Sequence, residues 1–266
     1  MDPVNQPSIE ELIEIGKKHL ENDDFDEAIK QFDEVIRLYP DYAPGYRYRG
    51  MAYREEGEDE NAIKDFSEAI RLNPNLAEAY AGRGIIYMWK AFIDQEYCDS
   101  AIRDFTEALR LKPDDSEIYF GRGWTYYNQG SYENAIKDLT EAIRLDPNDP
   151  FSYFWRGDAL RRQGQPESAF QDYNEAIRLK PDHSLFYSTR GQAYWEQDQY
   201  ESAIKDFNEA IRLDPDYSSA YAKRGQVYRK LGKKEEAIQD LEKALSLDPD
   251  LEEAKKDLQE IRQENT

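Results

Sequence analysis

The sequence predicts an all-α protein in which pairs of helices stack on one another. The main observation is a proline that recurs every 34 residues, with one interval of 39 residues. It occupies Pro40, Pro74, Pro113, Pro147, Pro181, Pro215 and Pro249. A fixed period of this length is typical of solenoid proteins, which present long surfaces to partners and rarely enclose an active site.

Residues 43–76 show how one unit is built. Apolar residues follow helical spacing in both halves, Gly57 falls at the turn between them, and Pro74 stops the second helix. The unit is therefore a helical hairpin. A glycine recurs inside each first helix, and an alanine recurs at a matching place in each second helix. These glycines are Gly16, Gly50, Gly84, Gly123, Gly157, Gly191 and Gly225. Because glycine within a helix costs about 1 kcal/mol relative to alanine, its recurrence indicates a close helix crossing.

The unit resembles the tetratricopeptide repeat family. The matching residues are Tyr46, Gly50, Tyr53, Ala62, Phe66, Ala69 and Pro74. The resemblance implies a right-handed α-solenoid superhelix of antiparallel helix hairpins. Its seven repeats would span residues 9–42, 43–76, 77–115, 116–149, 150–183, 184–217 and 218–251. Residues 1–8 would form an N-terminal extension and residues 252–266 a capping helix, which a solenoid needs to shield its last interface.

Composition narrows the class of function. The chain has 56 acidic and 35 basic residues, a net charge of −21, and no apolar run long enough to span a bilayer. Its start does not resemble a signal peptide, so we expect a cytoplasmic protein without membrane insertion. One cysteine, Cys98, excludes an intramolecular disulfide framework. We find no nucleophile motif, phosphate loop or metal-ligand spacing, so we expect no enzymatic activity, no cofactor and no metal.

An arginine and an aspartate recur at fixed places in six of the seven repeats, and the first repeat lacks both. The arginines are Arg49, Arg83, Arg122, Arg156, Arg190 and Arg224, and the aspartates are Asp65, Asp104, Asp138, Asp172, Asp206 and Asp240. The alternative reading is a ladder of anion-binding arginines. Their joint presence and joint absence favour a salt bridge inside each repeat.

A second stripe on the first helix of each repeat is charged in some repeats and aromatic in others. The resemblance implies that this stripe lines a concave, peptide-binding groove. The candidate residues are Tyr48, Met51, Ile85, Met88, Trp89, Phe120, Trp124, Tyr127, Phe151, Phe154, Trp155, Arg161, Arg162, Trp195, Lys223, Arg229 and Lys230. Gly82 and Gly121 also lie on the stripe, where we expect them to leave room beside the rings. The alternative is that the rings pack as additional core, although aromatic residues dominate interface energetics.

The 39-residue interval places five extra residues between Tyr87 and Ala101. Two interpretations remain open. The insertion either projects a lip beside Trp89 and carries Cys98 into solvent, or lengthens a turn without further consequence.

These observations predict a scaffold that grips an extended protein or peptide segment. We expect apolar or aromatic anchors in the middle of the groove and an acidic part near its basic C-terminal end. The alternative is a self-associating structural scaffold that uses its terminal repeats or convex face. Nucleic-acid binding is disfavoured, because backbone affinity is electrostatic and the chain is acidic. We expect a monomer or a weak homo-oligomer.

Overall fold

The computed structural model describes residues 8–263, which form fifteen α-helices and one short 3₁₀ turn. The helices are α1 (Ile9–Glu21), α2 (Phe25–Leu38), α3 (Ala43–Glu55), α4 (Asp59–Leu72), α5 (Ala77–Ile93), α6 (Cys98–Leu111), α7 (Ser116–Asn128), α8 (Tyr132–Leu145), α9 (Pro150–Arg162), α10 (Pro166–Leu179), α11 (Ser184–Glu196), α12 (Tyr200–Leu213), α13 (Ser218–Lys230), α14 (Lys234–Leu247) and α15 (Glu252–Gln263). The 3₁₀ turn is Gln95–Tyr97. Apart from Ser8, the predicted N-terminal extension lies outside the described residues, as do the last three residues of the predicted cap.

Contacts among the helices divide the chain into two compact units, one through Asp146 and one from Pro147. In the first unit each helix from α1 to α8 packs against the next, and α3 and α5 also contact the odd-numbered helices on either side. The second unit repeats this arrangement from α9 to α15. Odd-numbered helices therefore form one layer of each unit and even-numbered helices the other. In each unit, the surface of the odd-numbered helices that faces away from the even-numbered helices is called the odd-helix face.

The recurrent small residues let the two layers approach closely. A Cβ added to Gly50 would lie 3.3 Å from the Phe66 ring of the same hairpin. Gly82 and Gly121, on the second stripe, meet the ring of the preceding hairpin, since an added Cβ would lie 2.5 Å from Phe66 and 2.8 Å from Phe105. The expectation that these two glycines leave room beside the groove aromatics is therefore wrong. They accommodate buried core rings.

The predicted salt bridge inside each repeat is confirmed. Each guanidinium donates two hydrogen bonds, from Nε and Nη2, to both oxygens of one aspartate, at distances between 2.6 and 2.9 Å. The pairs are Arg49–Asp65, Arg83–Asp104, Arg122–Asp138, Arg156–Asp172, Arg190–Asp206 and Arg224–Asp240. All six aspartates are buried, so each carboxylate depends on its arginine for compensation.

The remaining guanidinium nitrogen reaches the hairpin before it. Nη1 of Arg49 donates to Asp33 at 2.6 Å, and Nη1 of Arg83 donates to Ser67 at 2.8 Å. The same bond joins Arg122 to Thr106, Arg190 to Asn174 and Arg224 to Asn208. One arginine therefore closes its own hairpin and links it to its neighbour.

Local contacts close both ends of the described chain. Ser8 and Glu11 form a reciprocal capping box at the start of α1. At the other end α15 buries Ala254, Leu258 and Ile261 in a cluster that also contains Leu241. α15 thus covers the end of the last hairpin, as expected of a capping helix.

Gly82→Ala is expected to destabilise the fold although alanine is the better helix former. The new methyl group would overlap the fully buried Phe66 ring, so we expect the free energy of unfolding to fall by about 1–3 kcal/mol in urea titrations. Gln171→Ala, at an exposed position of α10, serves as the control. A more stable Gly82→Ala protein would contradict the close packing.

Asp138→Ala is expected to lower the free energy of unfolding by on the order of 3 kcal/mol, because it leaves Arg122 partly buried without its carboxylate. The control is Glu141→Ala on the same helix, which removes the exposed Arg144–Glu141 pair and should cost under about 0.5 kcal/mol. Equal effects of the two substitutions would refute a structural role for the buried pair.

Candidate functional site

In the first unit the odd-helix face contains a cavity of about 300 Å³ bordered by α3, α5 and α7. Its apolar lining consists of Met51, Ala77, Ala81, Gly82, Ile85, Phe105 and Ile118. Charged side chains border it, and several are already engaged: Arg54 pairs with Glu55, and Lys112 pairs with Asp115 at 2.7 Å. Of the residues predicted from sequence, the cavity brings Met51 and Ile85 together.

A second cavity of about 410 Å³ lies beside the first. It is lined by Ile85, Ile86 and Trp89 on one side and by Arg54, Glu55 and Asp59 on the other. Ile85 and Arg54 border both cavities. Each cavity is therefore lined by apolar and by charged groups.

The remaining predicted residues of the first unit lie in ring contacts or are partly covered. Trp89 lies 5.7 Å from Trp124 between ring centroids, but Trp89 is 61% exposed while Trp124 is buried. Met88 is buried, and Phe120 is half-buried.

Tyr48 stacks on Phe32 and lies under the Arg47 guanidinium, and Tyr127 contacts Tyr132. The exposed ring of this group is therefore Trp89.

The five-residue insertion adds a turn to α5, which has 17 residues where α3 and α7 have 13, and adds the 3₁₀ turn. The added turn exposes Phe92 by 72% and Ile93 by 90%. We call Trp89, Phe92 and Ile93 the lip. The sequence analysis identifies the insertion but does not name Phe92 and Ile93. The 39-residue interval is the feature of the sequence that could have pointed to them.

Cys98 is not carried into solvent, which corrects that part of the lip interpretation. It is the first residue of α6 and is buried. Burial, and then the charge of Asp99, raises the pKa of its thiol. The helix restarts at Cys98 and turns its first side chain toward the core, so the extra exposure falls on α5 instead.

In the second unit, predicted groove aromatics pack on one another. Phe154 is buried, stacks on Phe186 at 4.8 Å and meets Trp155 edge-on at 5.0 Å. Phe151 approaches Phe186 at 5.6 Å. For these rings the structure supports the core alternative, with Phe151 and Trp155 still partly exposed.

Arg161 belongs to a buried polar network. It pairs with Asp158 at 2.8 Å and with Glu196 at 2.7 Å. Burial is the largest single effect and lowers the pKa of Arg161, but the charges and hydrogen bonds of Asp158, Tyr173 and Glu196 together raise it. Burial and the same carboxylate raise the pKa of Tyr173, whose hydroxyl donates to Asp158 at 2.9 Å. Arg162 is exposed, with its Nε 3.7 Å from Asp158.

Acidic residues of α15 engage the predicted basic end of the groove. Arg229 pairs with Asp257 and with Glu260, each at 2.8 Å. Lys223 lies 3.6 Å from Glu253 and 5.6 Å from the Trp195 ring. A cavity of about 390 Å³ brings together Trp195, Gln226, Arg229, Lys230 and Asp257. The sequence analysis placed these cations on one surface but did not anticipate their acidic partners.

Within residues 8–263 no helix is long and apolar enough to cross a membrane. Over the same residues, no three His, Cys, Asp or Glu side chains are grouped so that they could hold a metal ion.

Comparison with protein families gives one consistent result. A family model described as TPR repeat matches residues 50–88, 123–164, 157–198 and 191–232, which together exceed half of the chain. Three models described as tetratricopeptide repeat or its variants match residues 15–42, 105–137 and 218–251. No curated protein matches the chain.

Solved structures of the same architecture resemble the chain at low sequence identity. The Cut9–Hcn1 hetero-tetramer of the APC/C matches with a TM-score of 0.69 and 20% identity, over 98% of this chain and 50% of that one. A tetratricopeptide repeat protein from Parabacteroides merdae matches with a TM-score of 0.68 and 19% identity, over 96% and 98%. YrrB, described as a TPR protein with an unusual peptide-binding site, matches with a TM-score of 0.61 and 23% identity, over 71% and 95%. The chain spans half the length of the first of these, and all three show its fold alone.

Cys98 is expected to resist thiol reagents in the folded protein, because it is buried and its thiol pKa is raised. Its reaction with Ellman's reagent should be on the order of a hundredfold slower in buffer than in concentrated guanidinium chloride. Glutathione measured in both solvents controls for the effect of the denaturant. Equal rates for Cys98 in the two solvents would contradict its burial.

Proposed function

This chain belongs to the tetratricopeptide repeat family, and from that premise we propose that it is a non-enzymatic scaffold that binds an extended protein or peptide segment on its odd-helix face. The family gives the general role of protein interaction. The similarity to YrrB, which is described as having a peptide-binding site, supports the same class of partner.

The observation that carries the proposal is the cavity of about 300 Å³ in the first unit. Met51, Ala81 and Ile85 give it an apolar lining, and ionic groups border it. This combination suits one large apolar side chain of a partner, with polar groups to fix its orientation. Most of the cavity lining comes from helices, and the two residues of the α6–α7 connection, Lys112 and Asp115, pair with each other, so we propose that the partner orders on a largely preformed surface.

The cations available to the partner's acidic part are in part already paired. Arg229 already holds two carboxylates, and Arg161 is held by Asp158 and Glu196. An acidic residue of the partner would have to displace one of these groups. Arg162 and Lys230 are exposed, and we propose them as the first cations that such a residue meets. Apolar anchoring then supplies most of the affinity.

Ala81→Phe is expected to abolish binding in the cavity by filling it. Peptides selected on the wild-type protein from a random display library would be labelled, and their Kd values measured by fluorescence anisotropy. We expect the variant to bind them at least roughly tenfold more weakly, because the apolar anchor is excluded.

The matched control is Ser168→Phe, which adds the same ring at an exposed position of α10 and should leave Kd within about twofold. Circular dichroism checks that both variants fold. Unchanged affinity in Ala81→Phe would place the site elsewhere. Failure to select any peptide, together with concentration-dependent mass, would favour a self-associating scaffold.

A further inference from the structure

The lip is an exposed apolar surface of the first unit. Within residues 8–263 five large hydrophobic side chains are exposed, and three of them, Trp89, Phe92 and Ile93, lie within a five-residue stretch at the end of α5. Single exposed hydrophobic residues need no explanation, but a contiguous group usually marks an interaction site.

The lip is held in place. Phe92 stacks on the buried Trp124 at 6.4 Å, and Trp89 lies 5.7 Å from the same ring. The 3₁₀ turn that follows is capped by the Asp94 side chain, which accepts from the Glu96 amide at 3.0 Å. Gln129 of the next hairpin donates to Asp99 at 3.0 Å. A surface fixed in this way loses little entropy when a partner binds.

Carboxylates border the lip. The end of α3, the turn that follows it and the start of α4 carry five acidic residues, which we call the acidic corner: Glu55, Glu56, Glu58, Asp59 and Glu60. Lys90 Nζ lies 3.7 Å from Asp59 and 3.8 Å from Glu60, which places the corner beside the lip. Burial raises the pKa of Glu56, and the charges of Asp26 and Glu58 raise it further, so the acids crowd one another.

The local charge is strongly negative. Residues 54–60 and 89–99 contain eight acidic and two basic residues, a net charge of −6. Both basic residues face carboxylates, since Arg54 pairs with Glu55 and Lys90 faces Asp59 and Glu60. A docking group with compensating positive charge is therefore favoured.

We propose that the lip and the acidic corner dock a basic segment of a partner protein, with one or two large apolar side chains flanked by Lys or Arg. The cavity of about 410 Å³ between Trp89 and the corner would take an apolar anchor, and the flanking cations would meet Glu55 and Asp59. Phe92 and Ile93 line neither of the cavities described in the first unit, so this docking surface goes beyond the proposed peptide-binding site.

The negative charge around the lip disfavours other kinds of partner. In a two-fold dimer through the lip, the same patch would be used twice and carboxylates would face carboxylates. An anionic membrane surface or a nucleic acid would be repelled in the same way. A basic protein segment satisfies both the apolar and the acidic parts of the surface.

The test uses two labelled synthetic peptides with the same amphipathic Leu/Phe pattern, one flanked by Lys and the other by Glu. Anisotropy titrations at two salt concentrations compare the wild-type protein with Phe92→Ser/Ile93→Ser and with Glu58→Lys/Glu60→Lys. The matched charge control is Glu167→Lys/Glu201→Lys, which changes net charge equally at exposed positions of the second unit.

We expect the Lys peptide to bind the wild type, and to bind each lip or corner variant at least roughly tenfold more weakly, with the control within about twofold. Ala81→Phe should retain this binding, which separates failure at the lip from failure at the peptide-binding cavity. Equal binding of the Glu peptide, equal loss in the charge control, or unchanged binding by the lip variant would overturn the proposal. Dimers that require Phe92 and Ile93, without Lys-peptide binding, would assign the lip to a second copy instead.

Discussion

The bidentate arginine–aspartate pair is the interaction on which the rest of the structure depends. In each of six hairpins two guanidinium nitrogens hold a buried carboxylate, and in five of them the third nitrogen is shown to reach the hairpin before. Tyrosine rings flank the cation, for example Tyr187 and Tyr194 beside Arg190. Because arginine offers planar, directed donors, one residue fixes both the closure of a hairpin and its distance from the preceding one.

Because the arginine–aspartate pairs hold the hairpins together, the residues of the odd-helix face can vary between repeats. The arginines of six odd-numbered helices and the recurrent glycines point toward the even-numbered helices, so the salt bridges do not depend on the second stripe. The second stripe differs from one odd-numbered helix to the next. On α9 it is filled by Phe154 and its ring neighbours, which add to the core. On α5 it extends into solvent as the lip, and on α13 it carries cations that α15 neutralises.

The features that repeat could be predicted from the sequence, and those that occur once could not. The six salt bridges follow from periodicity, because every one of those repeats solves the same packing problem. Gly82 was misread because its neighbour, Phe66, lies 16 residues earlier on another helix. The acidic partners of Arg229 come from the non-repetitive α15. The burial of Cys98 depends on where α6 restarts after the insertion, which periodicity does not determine.

The acidic character of the chain gives the exposed lip a physical rationale. A rigid apolar surface promotes self-association unless something opposes it, and soluble proteins commonly use charge for that purpose. Here the opposing charge is local as well as global, since the acidic corner lies beside Trp89. In the proposed docking, carboxylates that would repel a second copy would also attract a cationic partner, because electrostatic complementarity favours encounter with opposite charge and rejects like-charged surfaces. In this proposal one set of side chains would both oppose self-association and select the partner.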